Sequence, residues 1–252
     1  MSYLSRYRSS ASRPTSLFGK ASYRTMELWL RALCDFHQYE VTGLEHLPSH
    51  GGALLVFNHS LATYDSWLIA VVLQDELDRT AYAVLDRHLL GMPVVGPAFR
   101  ELGFIEGSRE AAAQILREGH LLGVVPGGMR EALRPSSSKY QVDWRGRMGF
   151  VWASLLSGAP IILAACPRAD DIFEVADVET TRLVYERFKL PLPFFRGVGP
   201  TPFPRRVKLR HVLSEPIEPP VAPEDVTAEI VSEHHARLVE RMNRLMQDTL
   251  HG

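Results

Sequence analysis

Along this 252-residue chain, short apolar runs alternate with longer amphipathic stretches. Ala53 to Phe57 is wholly apolar and lies between Gly51-Gly52 and Asn58-His59, a pattern that predicts a buried strand. Residues 64–76 follow with Trp67, Leu68, Val71 and Val72 at helical spacing, and Thr80 to Leu85 predicts a second strand. Helical segments are expected around 86–90 and 94–102, interrupted by Gly91 and Pro93. Phe104-Ile105 reads as a brief strand. Ser108 suits the N-cap of a helix running to about Glu118, and Gly119 stands at its end, where a left-handed residue is favoured. Leu121 to Val125 predicts a further strand leading into Pro126-Gly127-Gly128.

Met148 to Pro167 carries no charged residue, and its length is near the ~20 residues that span a bilayer. Ser154, Ser157, Gly158 and Pro160 interrupt it, so a buried helix (about 147–157) followed by a buried strand (about 161–166) is the better reading. Residues 190–204 are rich in Pro and Phe and read as irregular, while Val207 to Leu213 suits a strand. The last stretch, about 224–249, places Val231, Leu238, Met242 and Leu245 on one helical face, as for a helix docked on a domain. Strands alternating with helices predict an α/β fold, a single layered domain with a largely parallel central sheet flanked by helices. Ligands of such sheets collect beyond the carboxyl ends of the strands.

Composition narrows the partners. The chain is 46% hydrophobic and 23% charged, and its net charge of -1 offers nucleic acid no attraction. Cys34 and Cys166 lie far apart and read as reduced thiols; the ten histidines form no zinc pattern, so neither metal nor cofactor is expected. Residues 1–25 carry Arg6, Arg8, Arg13, Lys20 and Arg24, many serines and no acid, and form a flexible arm ahead of a domain at 26–252. That arm suits either a solvated tail or contact with an anionic membrane surface. No apolar run of about 7 to 15 residues follows the charges, so export is not expected. Met26 to Phe36 suits an interfacial helix or a helix packed on the core.

Two segments carry candidate chemistry. In Asn58-His59-Ser60-Leu61-Ala62-Thr63-Tyr64-Asp65, a histidine at a strand end can take a proton from a hydroxyl, and an aspartate accepting its other ring N–H fixes the tautomer. Six positions of separation amount to about 240° on a continuous helix, so His59 must sit in the turn and Asp65 in the first helical turn. Taken alone, such a pair is more often a helix cap beside an incidental histidine. In Val124-Val125-Pro126-Gly127-Gly128-Met129-Arg130-Glu131-Ala132, two glycines after a strand let backbone N–H groups approach an oxyanion or a phosphate. Without further context this is also a plain glycine turn. No Gly-Lys-Ser/Thr follows it, and no Gly-x-Ser-x-Gly elbow is present.

In order and spacing, Asn58-His59 to Asp65, Leu102-Gly103-Phe104-Ile105, Pro126-Gly127-Gly128-Met129-Arg130-Glu131-Ala132 and Gly158-Ala159-Pro160-Ile161-Ile162 resemble the blocks of the glycerolipid acyltransferase superfamily. The likeness is greatest to its monoacylglycerol/diacylglycerol acyltransferase-like branch and runs from about residue 40 to 220. It implies a glycerol-phosphate acyltransferase-like fold, His59 as general base, Asp65 as its orienting partner, and oxyanion donors near Gly127 and Gly128. Acyl-CoA is the implied co-substrate, with a carrier-protein thioester as an alternative donor, and the implied place of action is the cytoplasmic face of a membrane, peripherally.

Two departures stand out. The phosphate-acceptor members usually show His-x4-Asp, whereas five residues intervene here. They also carry a Phe-Pro-Glu-Gly block and an arginine soon after the Phe-Ile pair; here Gly127 replaces that glutamate and Gly107 occupies the arginine's offset. These differences favour a neutral mono- or diacylglycerol as acceptor. Arg109, Arg130 and Glu131 remain substrate-binding candidates, with a solvated Arg109 and an ion pair bracing the loop as the plainer reading. A phospholipid-type acyltransferase, a hydrolase using water, and a non-catalytic lipid-binding protein of the same fold are the competing functions.

Overall fold

The structure is a computed structural model that describes residues 17–79, 81–85, 90–93, 95–177 and 194–252. Among the described residues, one sheet contains seven strands. In chain order these are β1 (Glu40–Thr42), β2 (Ala53–Phe57), β3 (Ala81–Leu85), β4 (Phe104–Glu106), β5 (Leu121–Val124), β6 (Ile161–Ala165) and β9 (Arg210–Leu213). The intervening β7 (Glu174–Val175) and β8 (Phe195–Arg196) pair only with each other. The spatial order is β1-β9-β6-β2-β5-β3-β4.

The strands from β6 to β4 run parallel, with Leu54 of β2 opposite both Leu122 of β5 and Ile161 of β6. β9 then runs antiparallel to β6, and β1 runs parallel to β9, so this one edge of the sheet is reversed. Every residue of β2 and of β6 is buried, which explains their unbroken apolar sequences: both faces of the sheet are covered.

Alternate residues of β2 serve opposite cores. Leu54 and Val56 pack with α4 (Arg109–Arg117), α6 (Gly149–Ser157) and α7 (Ala228–His251), whereas Ala53, Leu55 and Phe57 pack with α2 (Asp65–Leu77). The remaining helices are α1 (Leu17–His37), α3 (Val95–Glu101) and the one-turn α5 (Gly128–Ala132).

Local signals fix several boundaries as expected. Ser108 Oγ accepts from Ala111 N at 3.0 Å, and Gly119 follows α4 with φ of +85°. The uncharged stretch from 148 divides into α6 and β6, both in the interior; among the described residues no helix is long and apolar enough to cross a membrane. The C-terminal helix starts at Ala228 rather than 224, because Thr227 caps it by accepting from Ile230 N at 3.3 Å after a Pro223–Asp225 turn.

Other boundaries differ. The first helix is described over Leu17–His37, longer than the expected Met26–Phe36, and residues 1–16 lie outside the described set, as do most of the expected 86–90 segment and residues 190–193. Tertiary contact anchors its C-terminal half: Arg31 forms a two-pronged ion pair with Asp75 of α2 at 2.7 and 2.8 Å, and Leu30 is buried with Leu68 and Val71. The opposite side of α1 leaves Leu28, Trp29 and Phe36 exposed, so this helix both packs on the core and shows an apolar face. At its end the buried ring of His37 spans the Val207 carbonyl and the Tyr64 hydroxyl, each at 2.8 Å, fixing the start of α2. Cys34 and Cys166 are unbridged thiols.

Gly52 offers a direct test of the packing at the start of β2. A Cβ there would lie 2.0 Å from the Leu116 carbonyl oxygen, a backbone atom with no freedom to yield. Gly52→Ala is expected to lower the unfolding free energy by about 1–3 kcal/mol in urea titrations.

Candidate active site

The parallel register brings the carboxyl ends of β5, β2 and β6 to one place. β2 runs into Asn58-His59, β5 into Pro126-Gly127 and α5, and β6 into Cys166 and a turn at Pro167–Asp171. Asn58 joins two of these ends: its Oδ1 accepts from Cys166 N at 2.8 Å and its Nδ2 donates to Cys166 O at 3.3 Å. Both bonds are buried, so residue 59 leaves β2 in one direction.

His59 lies in the turn and Asp65 is the first residue of α2, the arrangement their spacing required. Both are buried, at 5% and 1% exposure. The expected hydrogen bond between them is not formed. Instead Ser60 Oγ donates to Asp65 Oδ1 at 2.6 Å, while Asp65 Oδ2 and His59 Nδ1 are each buried without a hydrogen-bond partner. The serine side chain sits on the same turn as the histidine and reaches the carboxylate first. With Nδ1 enclosed, Nε2 is the ring nitrogen left to meet a hydroxyl.

Burial dominates the protonation of this pair. Loss of solvation, added to the nearby positive charges of Arg134 and Arg147, pushes His59 down to about 4, so the imidazole is neutral at pH 7 and able to accept a proton. Loss of solvation raises Asp65 to about 7, and the bond from Ser60 opposes that rise only in part.

Glu131, a candidate from the sequence, is brought to the histidine through the backbone. Its Oε1 accepts from His59 N at 3.0 Å, and burial raises its carboxyl to about 7. The bracing ion pair falls to Arg134, 3.5 Å from Glu131 Oε1, which also grips Asp170 with both carboxylate oxygens at 2.7 Å and reaches the His59 carbonyl at 3.5 Å. Sequence reasoning missed Ser60, Arg134, Asp170 and Arg147. Arg134 had a local signal, three residues after Glu131 in the same helical turn; Asp170 had none, since it arrives from the loop after β6.

The glycine loop differs from the expectation. Gly128 N donates to the Val125 carbonyl at 3.1 Å, so that N–H is already engaged and is not an oxyanion donor in this conformation. Gly128 has φ of +54°, and Arg147 Nη1 donates to the Pro126 and Gly127 carbonyls at 3.1 and 3.0 Å, holding the loop from outside. Arg109 stands at the start of α4 with its guanidinium 5.4 Å from the Trp152 ring centroid, and makes no bond to His59, Asp65 or Glu131. Arg130 is half-buried on α5. Among the described residues no cluster of acids, histidines and cysteines has the form of a metal site.

An apolar cavity of about 130 Å³ lies between α1, α2 and the sheet. Its lining includes Leu30, Phe57, Ser66, Trp67 and Gly123, so it begins two residues before His59 and one after Asp65. Gly123 opens this space in β5: a Cβ there would touch Phe57 Cε2 at 3.3 Å.

A mostly parallel sheet carries a buried histidine and a nearby aspartate at its strand ends, with an apolar cavity on one face. The Acyltransferase family model matches residues 38–166, and the chain belongs to that family, within the glycerolipid acyltransferase superfamily. The chain is therefore an acyltransferase. It is 31% identical over 229 residues to a human protein named DGAT1/2-independent enzyme synthesizing storage lipids, covering 90% of this chain and 67% of that one. The bovine protein of the same name is 30% identical over 234 residues, covering 91% and 67%. The fold is similar to that of a Thermotoga maritima 1-acyl-sn-glycerophosphate acyltransferase, PlsC, with a TM-score of 0.53, 16% identity, and 93% and 84% of the two chains covered.

Asp65→Asn tests the electrostatics. A carboxyl raised from 3.8 to about 7 stabilises the fold below its unfolded value and loses that contribution as pH climbs through 7. Wild type is therefore expected to lose stability relative to Asp65→Asn between pH 4 and 8, by up to about 1.4 kcal/mol per pH unit. Urea unfolding of both proteins at pH 5 and pH 8 measures it; parallel pH dependence would count against a buried carboxyl of this kind.

Proposed function

We propose that this chain transfers a fatty acyl group from acyl-CoA to the hydroxyl of a neutral mono- or diacylglycerol at a membrane surface. The observation that carries the reading is a neutral, buried imidazole with Nε2 available, set beside an apolar cavity. His59 Nε2 takes the proton of the acceptor hydroxyl as its oxygen bonds to the thioester carbonyl carbon. The tetrahedral intermediate then expels the CoA thiolate, which receives that proton from the imidazolium, and ester and free CoA remain. As positive charge develops on the ring, Nδ1–H and the unpartnered Asp65 Oδ2 become complementary, so their hydrogen bond forms when it is most stabilising.

Chemistry at the site supports a neutral acceptor. Gly127 stands where phosphate-acceptor members carry glutamate, and Arg109 is held over Trp152. The relatives named for storage-lipid synthesis point the same way. The cavity is apolar and close in size to those of ~150 Å³ that take benzene-sized guests, so it suits a stretch of several acyl carbons.

Attachment to the membrane is peripheral in this reading. Leu28 and Trp29 on α1, together with Phe194 and Phe203 around β8, are exposed at 61%, 43%, 64% and 70%, more apolar surface than scattered single residues require. The two unbridged thiols suit the reducing cytoplasmic side.

The test is acyl transfer by purified protein, with labelled long-chain acyl-CoA and monoacylglycerol, diacylglycerol, lysophosphatidate and glycerol 3-phosphate offered separately. Transfer to a neutral glyceride, lowered at least ~100-fold in His59→Ala, is expected. Transfer only to phosphorylated acceptors overturns the neutral assignment, and turnover without any acceptor would identify a hydrolase. Within the same assay, Gly123→Val is expected to shift preference toward acyl chains several carbons shorter; an unchanged chain-length profile would place the acyl chain elsewhere.

A further inference from the structure

Gly127 and Glu131 compete for one space. A Cβ on residue 127 would lie 1.6 Å from Glu131 Oε2 and 2.4 Å from its Cδ. The backbone at Gly127, φ -63° and ψ -30°, is ordinary helical geometry that any residue adopts, so the glycine is not there for conformational freedom. What requires it is the Glu131 side chain folded back over it from one turn later, whose Cβ would also lie 2.5 Å away. Glu131 is buried at 2% exposure, its Oε1 holds the His59 N–H at 3.0 Å, and its Oε2 is buried without a partner.

His59 depends on that contact more than its neighbours do. Nδ1 lacks a hydrogen-bond partner, so apart from a backbone contact at Ser60 the ring's direction follows the backbone that carries it. That backbone is gripped on the N–H side by Glu131 and reached on the carbonyl side by Arg134 at 3.5 Å. Arg134 is itself fixed by Asp170 through two bonds of 2.7 Å, so the load on Glu131 is chiefly to hold the N–H.

We propose that Glu131 is a positioning residue for His59, and that Gly127 and Glu131 form an obligate pair in which the glycine makes room for the carboxylate. The inference rests on His59 serving as the base of the proposed reaction. It assigns Glu131 no contact with substrate, in place of the substrate-binding role its motif implied.

Kinetics of four variants, each shown to be folded by circular dichroism, test it with whichever acceptor wild type uses best. Glu131→Ala is expected to lower kcat about 100-fold, the size of effect that a misplaced catalytic group produces, with KM little changed. Glu131→Gln keeps an oxygen that accepts from His59 N and should stay within about tenfold of wild type, the scale of replacing a charged acceptor by a neutral one. Gly127→Ala should impair the wild-type background strongly and the Glu131→Ala background less, because Oε2 and Cδ are gone and only the Cβ of residue 131, 2.5 Å away, still crowds it. Equal damage by Gly127→Ala in both backgrounds, or wild-type kcat in Glu131→Ala, overturns the proposal. So does a Gln variant no better than the Ala variant.

A substrate-free readout separates this inference from the proposed reaction. Nitrogen-15 spectra of histidine-labelled protein, with the His59 signals identified by their loss in His59→Ala, report the ring's tautomer and environment. Glu131→Ala should move them and Glu131→Gln should leave them nearly in place, even if no acceptor in the panel is turned over. Unmoved signals in Glu131→Ala would overturn the positioning role by themselves.

Discussion

The parallel hydrogen-bond ladder joining β5, β2 and β6 is the constraint on which the rest of the site depends. Parallel strands end together, so the segments that follow them emerge at the same edge and pack against one another. Residues separated by more than a hundred positions, such as Asn58 and Cys166, thereby become hydrogen-bond partners, and His59, Glu131 and Asp170 share one small volume. A slip of one residue in any of these pairings would turn the buried side chains to the opposite face. The unbroken apolar sequences of β2 and β6 tolerate burial on either face, so the register is held partly by the contacts at the strand ends themselves.

Charge is handled economically at that edge. Asp65, Glu131 and Asp170 are buried, and burial raises all three carboxyls, while Arg134 is the cation that touches two of them. The same desolvation acts in the opposite sense on the histidine, which is driven toward its neutral form. The imidazole is thus kept neutral without an ion pair to a carboxylate, and the aspartate's second oxygen is left without a partner. Arg134 links this chemistry to the fold, since removing either of its carboxylate partners would leave an uncompensated buried charge.

The apolar side of the molecule answers a different need. α1 and α2 stand off the sheet enough to enclose a cavity whose walls include residues flanking the catalytic turn. Gly123 makes this possible from within a strand, where a larger residue would press on Phe57. α1 divides its own surface: Leu30 is anchored inward and Arg31 is tied to Asp75, while Leu28 and Trp29 remain outside.

Much of this was legible in the sequence. Runs such as Ala53–Phe57 and Ile161–Ala165 specify buried strands because nothing but a covered sheet satisfies five consecutive apolar residues flanked by glycine or proline. Ser108, Gly119 and the spacing from His59 to Asp65 fixed local geometry through caps and turns, which depend on near neighbours alone. The reversed β9–β1 edge and the β7–β8 pair were not legible, since each is stabilised by partners distant in the chain. The same holds for Asp170 and Arg147, whereas Ser60 takes the place of His59 at Asp65 from only five residues away, a side-chain arrangement that spacing alone does not fix. Sequence by itself determined which residues bear the chemistry, because that depends on side-chain type and short spacing. Tertiary structure alone decided which of them meet and how each is protonated, because hydrogen-bond partners and desolvation arise only when separate strands end side by side.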